Sequence, residues 1–171
     1  MTRSGIGISR EMLPDELAQY IHAHIPLTKA MDVSVLSIEA GAITLQAPLA
    51  PNINHRQSVF GGSAAALALL AGWALLHVRL RAEGVAARLV IQRNTMEYRQ
   101  PILGAFTARA TLEHAHRWKL FTSTLARKGK ARIAVLAELE HMEQVVATFT
   151  GEFVALADGV ARAPRSARGG A

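Results

Sequence analysis

The stretch "NINHRQSVFGGSAAALALLAGWALL", Asn52 to Leu76, decides the fold. A loop rich in amide, imidazole and guanidinium groups ends in Gly-Gly, and the residues that follow, Ala64 to Leu76, carry no charge. They predict a helix that continues to about Glu83. Such a helix is hydrophobic on all sides, so other elements have to cover it on all sides. Its uncharged part is short for a bilayer, which favours a buried core helix over the alternative of a membrane helix.

Upstream of this stretch the sequence predicts one short helix and two strands. Residues Pro14 to His24 have apolar side chains at helical spacing behind an N-terminal proline, and Pro26 ends this helix. From Asp32 the apolar period changes to two. The segment "VSVLSIEAGAITLQAPL" therefore predicts two strands that are joined by a tight turn around Gly41.

Downstream of Gly84 the pattern predicts strands only. The segment "RKGK", Arg127 to Lys130, is interpreted as a solvated hairpin tip, and a bulge is expected near Glu143. An antiparallel sheet of this size can curve around the long helix, and a neighbouring subunit can supply the remaining cover. The predicted strands are about Arg88–Tyr98, Phe106–Ala115, Trp118–Arg127, Arg132–Met142 and Val145–Leu156.

Composition limits the class of protein. The chain has 171 residues, of which 50% are hydrophobic and 19% are charged, so it is long and apolar enough for one domain with a real core. It contains no cysteine, which excludes disulfides and thiolate metal sites and fits a reducing compartment. The first residues have no apolar core of signal-peptide length. We therefore expect a cytoplasmic protein.

The net charge of +6 raises the alternative of nucleic-acid binding, but most of it lies at the two ends. Residues 1–10 and 158–171 together contribute +4, which leaves +2 for the rest of the chain. A folded nucleic-acid binder concentrates positive charge on a folded face, so this function is disfavoured. The composition predicts a flexible N-terminus over residues 1–13, one domain over residues 14–156 and a disordered basic tail over residues 157–171.

Three motifs in order resemble the hotdog-fold thioesterases. They are "IPLTKAMDVSV", the loop "NHRQSVFGG" before the long helix, and "YRQPILG", which begins at Tyr98. More narrowly, the chain is similar to a subfamily of thioesterase domains that in some members is fused behind an acetyltransferase domain. The resemblance covers about Pro14 to Leu156. It implies an α+β hotdog fold, in which a curved antiparallel sheet wraps the long central helix, preceded here by a short N-terminal helix.

The resemblance also implies an assembly, a substrate and a site. The family fold is a homodimer or a dimer of dimers, and its substrate is an acyl thioester of coenzyme A or of acyl carrier protein. The backbone N–H groups of Gly61 and Gly62 would bind the thioester carbonyl, which agrees with the affinity of a helix N-terminus for negative charge. No metal and no cofactor is implied, apart from coenzyme A as part of the substrate. No nucleic-acid or membrane partner is expected.

The remaining candidate residues lie in and near the same loop. Asn54 matches the family's loop asparagine and would orient the attacking water or the carbonyl, although asparagine is also common as a loop-capping amide. Asn52 is a weaker candidate for the same role. His55 could be a general base, or could face solvent beside Arg56. The candidates for substrate binding are Ser58, Phe60, Ser63, His55 and Arg99, the last through the phosphates of coenzyme A.

The sequence departs from the family pattern at two places. Phe60 occupies the position where many hotdog thioesterases have histidine, and no acid occurs around Leu69, where many have a helix carboxylate. Glu97 is the candidate to replace it, although a surface glutamate in an ion pair is the simpler interpretation. The leading hypothesis is therefore thioester hydrolysis by direct water attack. The alternative is a non-catalytic module that binds acyl-CoA or acyl carrier, and a hydratase or dehydratase is disfavoured because the histidine position is lost.

Overall fold

The computed structural model describes residues 11–158. Two short 3-10 helices, Ala50–Asn52 and Ala115–Arg117, lie in the loops. The main elements in chain order are α1 (Pro14–His24), α2 (Pro26–Ala30), β1 (Ser34–Glu39), β2 (Ala42–Ala47), α3 (Gly61–Ala82), β3 (Ala87–Tyr98), β4 (Phe106–Leu112), α4 (Trp118–Lys128), β5 (Lys130–His141) and β6 (Gln144–Ala157).

The strands form one antiparallel sheet in the order β1-β2-β4-β5-β6-β3. Residues on β4 alternate between buried and half-buried positions, as expected for a sheet with one face against a core. The register places Ile43 of β2 opposite Ala110 of β4, and Ala137 of β5 opposite Phe149 of β6. The sheet curves around α3, so this is the predicted α+β hotdog architecture.

Helix α3 is the centre of the core, as the sequence predicts. Its buried residues include Leu67, Leu75 and Leu76, each at most 1% exposed. Among residues 11–158, α3 is the one helix that is long and apolar enough to cross a membrane by length and composition. The core helix of a soluble protein passes the same test, and here β2 to β6 contact α3.

Gly72 lies where α3 meets the sheet most closely. A Cβ on this residue would lie 3.1 Å from the ring of Phe153 and 3.2 Å from Cγ1 of Val135. Both neighbours are fully buried, so neither can move into open space. The missing side chain therefore lets the helix approach β5 and β6.

One predicted strand, Trp118–Arg127, is wrong because this segment is helix α4. Trp118, Phe121 and Leu125 are its buried residues, at a spacing of three and four that fits one face of a helix. The predicted hairpin tip at "RKGK" is also wrong. Gly129 is the helix C-cap, with φ of 68° and its N–H donating to the carbonyl of Leu125.

The other predictions of elements are confirmed with small changes. Helix α1 has the predicted bounds, but Pro26 also starts the short helix α2, which the sequence analysis did not predict. Near Glu143 the chain makes a two-residue turn with positive φ at Met142 and Glu143, and the register shift lies between Leu139 and Glu140. Most of the predicted flexible N-terminus and nearly all of the predicted basic tail lie outside the described residues.

Candidate functional site

The loop before α3 is a small closed turn. Ile53 pairs with Val59 in an antiparallel bridge, and the N–H of Asn54 donates to the carbonyl of Ser58 at 2.8 Å. Gln57 in the turn has a φ of 62°, an uncommon value for a residue other than glycine. The local pairing therefore fixes the path of the polar loop.

The side chain of Asn54 bonds within this loop. Its Oδ1 accepts from the N–H of Arg56 at 2.8 Å and from the N–H of Ser58 at 3.3 Å. Its Nδ2 donates to Oγ of Ser58 at 3.1 Å and to the carbonyl of Val59 at 3.4 Å. The amide thus acts as a loop cap, and it also holds the Ser58 hydroxyl.

Asn52 anchors the same loop to the core. It is 2% exposed, and its Nδ2 donates to the carbonyl of Met31 at 3.0 Å and to that of Pro48 at 2.8 Å. Its own carbonyl accepts from the N–H of Phe60 at 2.7 Å, directly before α3. Asn52 was the weaker candidate because Asn54 matches the family's loop asparagine, and nothing in the local sequence shows which of the two asparagines is buried.

The N-terminus of α3 has free donors. The N–H groups of Ser63 and Ala64 both donate to the carbonyl of Phe60, at 2.9 and 3.1 Å. The N–H groups of Gly61 and Gly62 have no partner within residues 11–158, and no side chain caps the helix. Unpaired N–H groups and the positive end of the helix dipole favour an electronegative ligand atom here.

Phe60 covers Gly62. Its ring is 56% exposed, and a Cβ on Gly62 would overlap the ring, lying 2.9 Å from Cζ. The aromatic side chain at the position of the family's histidine therefore has no acid–base chemistry but shields one face of the helix start. A side chain at position 62 would therefore push the exposed Phe60 ring toward solvent.

Tyr98, the last residue of β3, contacts the other glycine. Its hydroxyl donates to the carbonyl of Gly61 at 2.8 Å, and a Cβ on Gly61 would lie 3.5 Å from the tyrosine ring. That distance is an ordinary contact, so alanine would fit at position 61. Tyr98 begins the motif "YRQPILG", but the sequence predicts no role for it.

A cavity of about 320 Å³ lies beside these groups. Ser58, Gly61 and Arg99 of the predicted site share it, whereas Gly62, Phe60, Ser63 and His55 do not line it. None of its lining residues, all in the described part of the chain, is a carboxylate. The lining is Ser58, Val59, Gly61, Ala64, Tyr98, Arg99, Gln100, Pro101 and Ile102.

The segment after β3 and the polar loop are joined at this cavity. The N–H of Val59 donates to the carbonyl of Ile102 at 2.8 Å, and Ile102 is buried. The backbone N–H of Arg99 bonds to Val146 of β6, and its side chain is exposed. The two sequence motifs "NHRQSVFGG" and "YRQPILG" therefore meet in space at the start of α3.

The predicted acid–base groups stand apart from the cavity. His55 is exposed, and its Nε2 lies 3.3 Å from Nε of Arg56. Glu97 is exposed and accepts from the Thr148 hydroxyl at 3.4 Å, and it does not line the cavity. Leu69, in the middle of α3, is half-buried. Residues 11–158 contain no cluster of three histidine or acidic side chains that could hold a metal ion.

Four stacked rings lie toward the other end of α3. Tyr20 of α1 packs between His24 and His77, with ring centroids 4.1 and 4.9 Å apart, and Trp73 stacks on His77 at 4.7 Å. Burial lowers the pKa of His77 below its ordinary value, and the positive charges of Arg81 and His24 lower it further. A larger cavity of about 430 Å³ between α4 and β5 shares no lining residue with the candidate site.

The fold and these features define the chain as a hotdog protein with an uncapped helix start at a small cavity. Residues 14–157 match the family described as "Putative thioesterase (yiiD_Cterm)", and the chain belongs to this family. This confirms the resemblance seen in the three motifs.

Solved structures agree with this assignment. A protein of unknown function from Chlorobaculum tepidum is 28% identical over 86% of this chain and 99% of its own, with a TM-score of 0.79. A putative thioesterase from Shewanella oneidensis is 26% identical over 84% of this chain and 96% of its own, with a TM-score of 0.76. A protein from Pseudomonas aeruginosa described as a probable thioesterase is 25% identical over 86% and 99%, with a TM-score of 0.71.

Proposed function

We propose that this protein hydrolyses acyl thioesters of coenzyme A or of acyl carrier protein by direct attack of water. The observation that carries the proposal is the pair of unpartnered N–H groups on Gly61 and Gly62 at the start of α3. Water adds to the thioester carbonyl carbon, and negative charge develops on the carbonyl oxygen. Donors that already point at this oxygen stabilise the transition state without reorganising. The C–S bond then breaks, the proton that water gives up passes to the sulfur, and the carboxylic acid and the thiol leave.

Asn54 and Ser58 act together in this proposal. The Asn54 amide holds the Ser58 hydroxyl, and Ser58 lines the cavity. Asn54 therefore positions Ser58 beside the carbonyl or the attacking water. Ser63 precedes the lining residue Ala64 in sequence, and His55 lies three residues before Ser58; both stay weaker candidates for substrate contact. Arg99 extends from the cavity into solvent, where its guanidinium suits a phosphate of coenzyme A or of the carrier's phosphopantetheine.

A non-catalytic acyl-CoA or acyl-carrier binding module is the second candidate. It is favoured by the lack of a carboxylate among the described residues that line the cavity. Both ends of the Asn54 amide also have partners within the loop, so this side chain is not free to hold a water alone. Binding at the helix N-terminus needs the same Gly61 and Gly62 donors, so only turnover separates the two functions.

We further propose that the working unit is a homodimer, or a dimer of dimers, formed through β3. This strand has twelve residues, and within the described residues it pairs only with β6. A long edge with free backbone groups is a template for pairing with another strand, and Val90 on it is 48% exposed. Pairing of two β3 strands would extend the sheet across both copies. Light scattering should give two or four times the 18.4 kDa protomer mass, and a clean monomer would refute this assembly.

Thiol release from a panel of acyl-CoA thioesters of different chain length tests the activity. Hydrolysis of at least one ester, reduced about a hundredfold or more when the donors are blocked, supports the enzyme. Saturable binding, seen as a concentration-dependent rise in melting temperature with no thiol release, identifies the module instead. A cytoplasmic location stays a prediction.

A further inference from the structure

The hydroxyl of Tyr98 acts on the peptide group that carries one of the proposed donors. It donates to the carbonyl oxygen of Gly61 at 2.8 Å. That carbonyl belongs to the same planar unit as the N–H of Gly62, because a peptide bond joins the two residues. A bond that fixes the direction of the carbonyl therefore fixes the direction of the N–H on its other side.

The same bond also changes the strength of the donor. A hydrogen bond to a peptide oxygen polarises the peptide, and linked hydrogen bonds strengthen one another. The N–H of Gly62 has no partner of its own within residues 11–158, so the polarisation is available to a ligand. Gly62 itself is exposed, so this peptide is open to an incoming ligand.

The location of Tyr98 favours a role in the site over a role in stability. The side chain is 55% exposed, so its packing contributes little to the core. It lines the cavity together with Ser58, Gly61 and Arg99. It also comes from the end of β3, whereas the glycines belong to α3, so the hydrogen bond ties the helix start to the sheet.

We propose that Tyr98 is a positioning residue, which holds and polarises the Gly61–Gly62 peptide so that the Gly62 N–H meets the developing oxyanion. This inference rests on the proposed function and adds a residue to it. Tyr98 does not touch the reacting atoms, and its effect appears only as charge develops on the carbonyl oxygen. The expected consequence is a loss in kcat with little change in KM.

The test compares Tyr98→Phe with Tyr20→Phe, which removes the chain's other tyrosine hydroxyl from the ring stack on α1. Tyr98→Phe keeps the ring and removes only the bond to Gly61. We expect kcat to fall about tenfold, less than the loss of a whole oxyanion donor, with KM within about twofold of the wild type. Tyr20→Phe should leave both unchanged. The Gly62 amide resonance should move in Tyr98→Phe and stay in place in Tyr20→Phe.

The outcomes separate the inference from the activity on which it rests. If the wild type hydrolyses acyl-CoA and Tyr98→Phe has the same kcat, the inference about Tyr98 is wrong, while the proposed thioesterase activity is supported. If the wild type hydrolyses no acyl-CoA, the proposed activity fails. In that case the test is the change in the NMR resonance of the Gly62 amide when an unreactive ketone analogue of acyl-CoA binds. An equal change in the wild type and in Tyr98→Phe overturns the inference. A smaller change in Tyr98→Phe supports it.

Discussion

Replacing Asn52 should loosen the site loop without touching the cavity. Its Nδ2 donates two bonds, to the carbonyls of Met31 and Pro48, in a place that is 2% exposed. Asn52→Ala leaves both carbonyls without this donor, and water cannot easily replace it. Each neutral bond contributes about 1 kcal/mol net, and the cost rises when a buried acceptor is left unpaired. Removal of Oδ1, which is buried without a partner among the described residues, offsets part of this loss.

The net expectation for Asn52→Ala is a loss of about 2 kcal/mol in the free energy of unfolding. For a domain of this size that lowers the melting temperature by about 4–8 °C. The matched control is Asn54→Ala, in the same loop, whose amide bonds stay within the half-exposed turn. Its effect on stability should be clearly smaller, about 1 kcal/mol or less.

Asn52→Asp adds a dependence on pH whose sign is fixed by the structure. The new carboxyl faces two carbonyl oxygens and can donate only when it is protonated. Burial raises the pKa of this carboxyl above its unfolded value, so the folded state binds more protons than the unfolded state. Stability of this variant relative to the wild type is therefore lost as pH rises from about 4 toward neutrality. Thermal unfolding at pH 5 and pH 7.5 should give the larger deficit at pH 7.5. A deficit that is equal at both values, or Asn52→Ala melting with the wild type, would refute the reasoning.

Three further changes test the packing and the electrostatics. Gly62→Ala should displace the Phe60 ring from the helix start with little loss of stability, because this exposed ring can rotate into solvent. A thermal double-mutant cycle with Phe60→Ala should then show a small coupling between the two positions, and a large coupling would show that the ring is held in place. Gly72→Ala should destabilise the fold by about 1–3 kcal/mol, because the new Cβ would press on the buried ring of Phe153. This loss outweighs a gain of about 1 kcal/mol in helix propensity. A higher melting temperature would show that the core can adjust. The pKa of His77 is lowered in the folded state, so its contribution to stability is present above about pH 6.5 and is lost as pH falls. His77→Phe should therefore reduce the dependence of the melting temperature on pH between pH 7 and pH 5.5. An unchanged pH dependence would exclude His77 as the cause.

The sequence by itself determined the central helix and the elements that cover it. Ala64 to Leu76 contains no charge, so this segment had to be buried, whatever surrounds it. Alternating apolar residues then defined β1, β2, β4 and β6 within a few residues, because a period of two is visible locally. The glycine pair that begins the helix was also visible in the sequence, because Gly61 and Gly62 come just before the uncharged segment.

Helix α4 could not be assigned in this way. Its buried residues Trp118, Phe121 and Leu125 are few, and the threonines and serine between them suit a strand as well as a helix. Tertiary packing decided between the two states. Trp118 donates to the Glu83 carboxylate at the end of α3, and Arg79 of α3 lies over the Trp118 ring at 4.2 Å. Partners that are thirty-five residues or more away in the chain leave no local pattern.

The site residues were likewise visible in the sequence, whereas their contacts depended on the tertiary structure. The sequence identified Asn54, Ser58 and the two glycines as parts of a polar loop before a helix. It did not show which of their polar groups already have hydrogen-bond partners. Only the tertiary structure decided that the Asn54 amide bonds within its loop, that Asn52 is buried, and that Tyr98 reaches Gly61. The physical reason is that hydrogen bonding depends on three-dimensional distance and burial, and residues 98 and 61 meet only after β3 has paired with β6 and α3 has packed on the sheet.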